Sequence, residues 1–347
     1  MEITIIGSGA IGGVLGAYIV KAGVNIVFCD IEQDHVNHIR YKGLRIEGPA
    51  EEFVVKGEAY TPEELIARNK QLDWVFICTK AHHAQQALDQ VHQLINKDTT
   101  IVSFQNGLID LKVPKYKKVS EPLCCFVNFS ADYLEPGRIL YGGVSSVAIG
   151  EFNGASTDRL KELKKILEHW GPVKETNNIK GYLWSKLSYA ALLYATALVD
   201  ETMANVVERK EFRPALIELC AEVLEAAHIK SVNVISFDVW KPELIYPRDN
   251  QNTDLLNEEF DRISFWMSQN KKQKSGIWRD IAIRRRKTEV DFDLVPILEI
   301  GKQHNLSFPL TKFVIERIKE LEKGAKQMSW DNLMDLKKVY EDDVLSK

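Results

Sequence analysis

Short apolar runs alternate with helical periodicity through the first half of the chain. Residues 2–6 (EITII) form one run, 10–22 carry a helical pattern, and 25–29 (NIVFC) form a second run. Residues 74–78 (WVFIC) and 101–104 (IVSF) continue the series. These runs hold too few polar positions for half-exposed strands, so they predict strands buried on both faces. Strands separated by helices imply βαβ units and a parallel sheet. Residues 44–47 and 53–55 flank Gly48-Pro49, a turn signal at the sheet's edge. Residues 124–129 and 144–149 read as the last strands of this half.

After Gly171-Pro172 the texture changes. Residues 182–199 are almost uninterruptedly apolar, which predicts the buried central helix of a second domain. Residues 212–227, 277–304 and 310–321 read as further helices, with Pro309 suited to the start of the last. Residues 231–253 carry Pro242, Pro247 and many Asn and Asp, and read as a loop-rich insertion. A boundary near 171–180 follows, and a chain of 347 residues is long enough for two domains.

Composition narrows the class. Lys and Arg total 45 against 49 Asp and Glu, a net charge of −4 that argues against a dedicated nucleic-acid binder. No run approaches the ~20 apolar residues of a membrane span. The five cysteines are odd in number and lack CxxC spacing, which argues against a disulfide framework or a structural zinc site. No HExxH or similar spacing exists, so no metal is expected. His82 and His83 sit at a helix start, and Trp266, Trp278 and Trp330 read as packing aromatics. The N-terminus MEITIIGSG runs straight into a strand with no secretory pattern, so a cytoplasmic protein is expected.

One motif carries chemistry directly. Gly7-Ser8-Gly9-Ala10-Ile11-Gly12 is GxGxxG between the first strand and the first helix. Gly7 makes the tight turn, Gly9 lets the backbone approach a pyrophosphate, and Gly12 lets helix and strand pack closely. The helix N-terminus offers unpaired N–H groups to phosphate. Asp30 closes the second strand, where a carboxylate accepts from ribose hydroxyls and repels a 2′-phosphate. Residues 1–175 are therefore expected to form a Rossmann NAD(P)-binding domain, with NAD(H) favoured over NADP(H). The bland alternative is that Asp30 only caps the next turn.

Further landmarks fall at strand ends and on helices. Thr79-Lys80-Ala81 and Gln105-Asn106-Gly107 close two buried strands, at the carboxyl ends where open α/β sheets bind ligands. Leu183-Trp184-Ser185-Lys186-Leu187 sets a lysine in an apolar helix, which is costly unless the lysine is paired or faces a cleft. Lys287-Thr288-Glu289-Val290-Asp291 sets a carboxylate on what reads as another long helix. In this order and spacing the whole chain resembles the ketopantoate reductase (2-dehydropantoate 2-reductase) family. The resemblance implies an N-terminal Rossmann domain and an all-α C-terminal domain over 176–347, the latter binding substrate and a candidate for homodimer formation. It implies hydride transfer from a nicotinamide cofactor to a small anionic 2-keto acid in the interdomain cleft, with NADPH the family norm. By matched motif, Lys186 resembles the catalytic lysine and Glu289 the substrate-site glutamate. Asn106 resembles the asparagine near nicotinamide and substrate, and Lys80 the lysine lining the cofactor site. The chemistry agrees: an ammonium can stabilise charge developing on a keto oxygen and then donate its proton.

Three departures bear on the substrate. Where the family carries asparagines one and two turns after the lysine, this chain has Ala190 and Tyr194, and Ala195 stands at the usual proline. The arginine often found after the second strand is replaced around Asp30-Ile31. Tyr194 is thus expected to line a more apolar and aromatic pocket. That favours, as an alternative, an NAD-dependent D-2-hydroxyacid dehydrogenase of the same family acting on branched or aromatic keto acids. Residues 271–287 hold eight Lys and Arg against Asp280 alone, a net +7. They read either as a solvated helix face or, with Ser275 and one arginine, as a substrate-carboxylate site. A nucleotide-sensing protein without catalysis is the alternative from another class. The presence of both Lys186 and Glu289 argues against it.

Overall fold

The computed structural model describes residues 1–48, 51–107, 120–270 and 272–346. Pro49 of the expected edge turn and Lys271 of the basic segment lie outside the described residues. The chain divides into two compact units, Met1–Ile179 and Lys180–Lys347.

In chain order the first unit runs β1 (Ile3–Ile6), α1 (Ala10–Lys21), β2 (Ile26–Cys29), α2 (Gln33–Tyr41), β3 (Leu44–Glu47), β4 (Phe53–Val55), β5 (Glu58–Tyr60) and α3 (Pro62–Ala67). It continues with β6 (Trp74–Ile77), α4 (Ala81–Val91), β7 (Thr100–Ser103), β8 (Leu123–Glu135), β9 (Arg138–Glu151), α5 (Asp158–Leu167) and β10 (Lys174–Glu175). β1, β2 and β6 are buried at every position. Successive side chains point to opposite faces of a strand. Ile3, Ile5, Ile26, Phe28, Trp74 and Phe76 accordingly join one core with α1, α2 and α5. Ile6, Val27, Cys29, Val75 and Ile77 join another with α3 and α4. The result is an α/β/α sandwich.

The strand order is β4-β3-β9-β8-β7-β6-β1-β2-β5, with β10 against β9. From β5 across to β8 all neighbours are parallel. The chain leaves β1 toward β2 and later returns to its other side with β6, so the carboxyl end of β1 is a topological switch point. β8 and β9 form one long antiparallel hairpin, and β9 also pairs with β3 at its start and β10 at its end. Both hairpin strands reach well beyond the expected 124–129 and 144–149. In β8 only the first five residues are continuously buried, so the apolar run marks a fraction of the strand.

The second unit is helical: α6 (Ile179–Thr196), α7 (Met203–Glu208), α8 (Arg213–Ile229), α9 (Thr253–Gln269), α10 (Gly276–Ala282), α11 (Val290–Asp293), α12 (Val295–Gln303), α13 (Pro309–Glu322) and α14 (Trp330–Asp343). The expected helix over 277–304 is instead three helices, α10 to α12. Arg285 adopts φ +49°. The chain turns back there, so that the Arg286 N–H donates to the Asp280 carbonyl at 2.9 Å. Pro296 then occupies the first turn of α12, where a missing N–H costs nothing. α13 begins without a cap from its own N-cap side chain. Glu222 of α8 supplies one, accepting from the N–H groups of Leu310 (3.0 Å) and Thr311 (2.7 Å). Among the described residues no helix is long and apolar enough to cross a membrane.

Candidate functional site

The three glycines after β1 have different surroundings. Gly7 adopts φ +90°, and a Cβ there would lie 2.8 Å from the Thr79 nitrogen. A Cβ on Gly12 would lie 2.2 Å from the Gly7 carbonyl oxygen and 2.7 Å from an Ile5 methyl, so α1 packs this closely only as glycine. A Cβ on Gly9 would meet nothing within 4 Å. The space over Gly9 is therefore open, beside an α1 N-terminus with no side-chain cap and no acid in its first turn. Uncapped N–H groups at the positive end of a helix dipole attract an anion. The open space over Gly9 at this helix start thus has the chemistry that accepts a phosphate group.

Asp30 closes β2 beside this loop. Its Oδ2 accepts from the Ser8 N–H (2.9 Å) and Ser8 hydroxyl (3.2 Å), and its Oδ1 from the Glu32 N–H (3.1 Å). The carboxylate does cap the following turn, and it is also tied to the glycine loop. Glu32 and Asp34 extend the acidic wall. Glu32 Oε2 accepts from the Tyr133 hydroxyl of β8 at 2.8 Å. Burial, reinforced by the charges of Glu32, Asp30 and Asp34, pushes that phenol above its ordinary range. His35, which sequence reasoning passed over, is buried behind Ser8 and contacts its carbonyl through Nε2 at 2.9 Å.

At the neighbouring strand ends, Lys80 is half-buried and begins α4, while Asn106 is exposed after β7. Gln105 joins the two: its side-chain amide donates to the Thr79 carbonyl at 3.2 Å. The structure thus brings the glycine loop, Asp30, Lys80 and Asn106 to the carboxyl edge of one parallel sheet. The buried Thr79 hydroxyl finds no partner among the described residues.

In the second unit, α6 from Gly181 to Thr196 is buried except along a stripe. Lys186, Ala190 and Leu193 are half-buried while the residues between them are buried. Their i, i+4, i+7 spacing puts them on one helix face. Tyr194, expected at the substrate, is instead turned into the core at 1% exposure, and its hydroxyl donates to Asp293 Oδ2 at 2.8 Å. Burial and the charges of Asp293 and Glu289 hold its phenol well above the ordinary range. Glu289 is half-buried and is the N-cap residue of α11, not part of a long helix. Its segment is clamped on both sides. Thr288 donates to Glu322 through N–H and hydroxyl, both at 2.7 Å, and the Asp293 N–H returns to the Glu289 carbonyl at 2.9 Å.

Ser275 is 3% exposed and caps α10, accepting from the Trp278 N–H at 3.1 Å. The basic segment is neutralised in part: Lys274 pairs with Asp200, and Arg286 and Arg284 with Asp280 at 2.9 and 3.4 Å. Its most basic stretch, 284–287, is an exposed loop and not a helix face. Among the described residues no group of His, Cys, Asp and Glu could hold a metal ion.

The chain is similar to known proteins over most of its length. The family model described as ketopantoate reductase PanE/ApbA matches residues 3–154, and its C-terminal counterpart matches 178–322. A 2-dehydropantoate 2-reductase of Pyrococcus horikoshii is 25% identical over 316 residues, covering 89% of this chain and 94% of that protein. A PanE/ApbA family ketopantoate reductase from Ralstonia eutropha superposes with TM-score 0.76 at 20% identity, over 94% of this chain and 100% of the other. D-mandelate dehydrogenase, solved with NADH and anilino(oxo)acetate, superposes with TM-score 0.77 at 20% identity, over 93% and 99%.

Proposed function

The chain belongs to the ketopantoate reductase PanE/ApbA family of nicotinamide-dependent reductases, and from that premise we propose that it reduces a small 2-keto acid with NADH. The observation that carries this reading is the open glycine loop under an uncapped helix N-terminus, with Asp30 tied to it at the end of β2. The acidic run Asp30, Glu32 and Asp34 opposes a 2′-phosphate by like charge and supports NADH.

The cofactor supplies the hydride. As the keto carbon is reduced, negative charge collects on its oxygen. The Lys186 ammonium, on the half-open stripe of α6, stabilises that charge and then donates its proton. Glu289 accepts a hydrogen bond from a substrate hydroxyl or orients the lysine. At the strand ends, Asn106 would sit near the nicotinamide and substrate, and Lys80 would line the cofactor site. Ser275 keeps a hydroxyl proton to offer a substrate carboxylate.

A second reading within the same chemistry has one observation in its favour. Ala190 presents a methyl group one turn from Lys186, where a polar side chain would bind a hydroxylated substrate. A branched or aromatic keto acid fits that wall better. A panel of 2-keto acids, assayed by nicotinamide absorbance with NADH and with NADPH, tests both readings. NADH oxidation with at least one acid is expected, and Lys186→Ala should lower kcat by at least about 100-fold while NADH still binds. No oxidation of either cofactor across the panel would refute catalysis. A strong preference for NADPH would refute the role given to Asp30.

A further inference from the structure

We propose that His35 is a positioning residue for the dinucleotide, on the premise that a dinucleotide binds at the α1 N-terminus. The residue holds the tip of the β8–β9 hairpin against Ser8 and so sets the shape of the glycine loop.

Three observations carry this. First, the His35 ring is 1% exposed and both nitrogens are engaged. The Gly137 N–H donates to Nδ1 at 2.9 Å, so Nδ1 carries no proton. The proton is therefore on Nε2, which donates to the Ser8 carbonyl at 2.9 Å. Second, Ser8 is fully committed: its N–H and hydroxyl go to Asp30 and its carbonyl to His35. The peptide between Ser8 and Gly9 can then rotate only if the His35 bond to its carbonyl breaks. Third, the hairpin tip is built to come close. Gly137 adopts φ +76°, and a Cβ there would lie 2.2 Å from a His38 ring carbon. Tyr133 of the same hairpin lies edge-on to His35, centroids 5.1 Å apart, and bonds Glu32.

Buried behind Ser8, His35 acts on phosphate and ribose only through that residue, by presenting one donor and one acceptor in a fixed tautomer. A buried residue needed only for packing would depend on bulk. A residue needed for its two hydrogen bonds depends on their pattern.

Two variants separate these roles. His35→Leu keeps bulk and removes both bonds; His35→Gln keeps one donor and one acceptor on a side chain of similar reach. NADH is titrated into each purified full-length protein, following fluorescence, and the unliganded melting temperature is recorded alongside. His35→Leu is expected to bind NADH about tenfold more weakly, the order expected for losing two neutral hydrogen bonds that hold the loop. His35→Gln is expected to stay within about threefold of wild type, the difference of under a kcal/mol that a retained bonding pattern allows. Unchanged NADH affinity in folded His35→Leu, whatever its melting temperature, overturns the proposal, as does an equal loss in both variants. Should the leucine variant not fold, His35→Asn decides. Its shorter amide reaches only one partner, and wild-type affinity in that variant overturns the proposal. Failure of the wild type to bind either NADH or NADPH overturns the dinucleotide reading itself.

Discussion

Single residues divide by how far away their partners lie. Asp30 and the loop glycines are legible in the sequence because their chemistry depends on spacing within one βαβ unit. His35 and Tyr194 are not, because each is defined by a partner about a hundred positions away: Gly137 for one, Asp293 for the other. A lone histidine on the buried face of a short helix reads as core, and a tyrosine two turns after a candidate catalytic lysine reads as pocket lining. Glu222 is equally silent in the sequence, yet it sets a pH dependence. Burial pushes its carboxyl from an ordinary 4.5 to about 8, against the opposing pull of the Thr311 and Leu310 N–H groups. The folded state therefore holds this proton more tightly than the unfolded chain. The associated stability is fully present below the ordinary value and is lost as pH rises through about 8. Calorimetric melting of wild type and Glu222→Gln from pH 5 to pH 9 should show wild type losing at least about 4 °C relative to the variant. Parallel curves would count against it.

At the scale of elements, α1 is the clearest case of sequence dictating geometry, and Gly12 and Gly9 at its start separate packing from binding. Gly12→Ala would push a carbon against the Gly7 carbonyl oxygen, a backbone atom that cannot step aside. It should cost about 2–3 kcal/mol of stability, as overpacking of this kind does. Gly9→Ala meets open space and should leave the melting temperature unchanged while weakening NADH binding. Denaturant titration and NADH titration of both variants check the pair, and equal effects on stability would contradict the packing. Elsewhere the pattern misleads for identifiable reasons. Helical periodicity continues through 277–304, but Arg285 turns left-handed and Asp280 gathers the arginines after it, so the helix ends at Ala282. β5 has one buried residue, Ala59, between Glu58 and Tyr60, too short a pattern to register. The hairpin strands outrun their apolar cores because their far halves are only partly covered.

For the whole molecule, the chain divides at Ile179 into two compact units. Ligand that binds one of them should stabilise that one. NADH at about 100 times its dissociation constant contributes about 2.7 kcal/mol to the unit that binds it. Hydrogen exchange should therefore slow in residues 1–179, most in β1, α1 and β2. Slowing confined to 180–347 would be inconsistent with the glycine loop as the site. The hairpin adds a matter of timing. His35 and the N–H that fixes its tautomer are 102 positions apart. On a ribosome adding about 5–20 residues per second, His35 waits roughly five to twenty seconds for that N–H. The first motif to be made is not finished until the hairpin follows it, and a nascent chain stalled before Gly137 would carry the whole glycine signature without the brace that gives it shape.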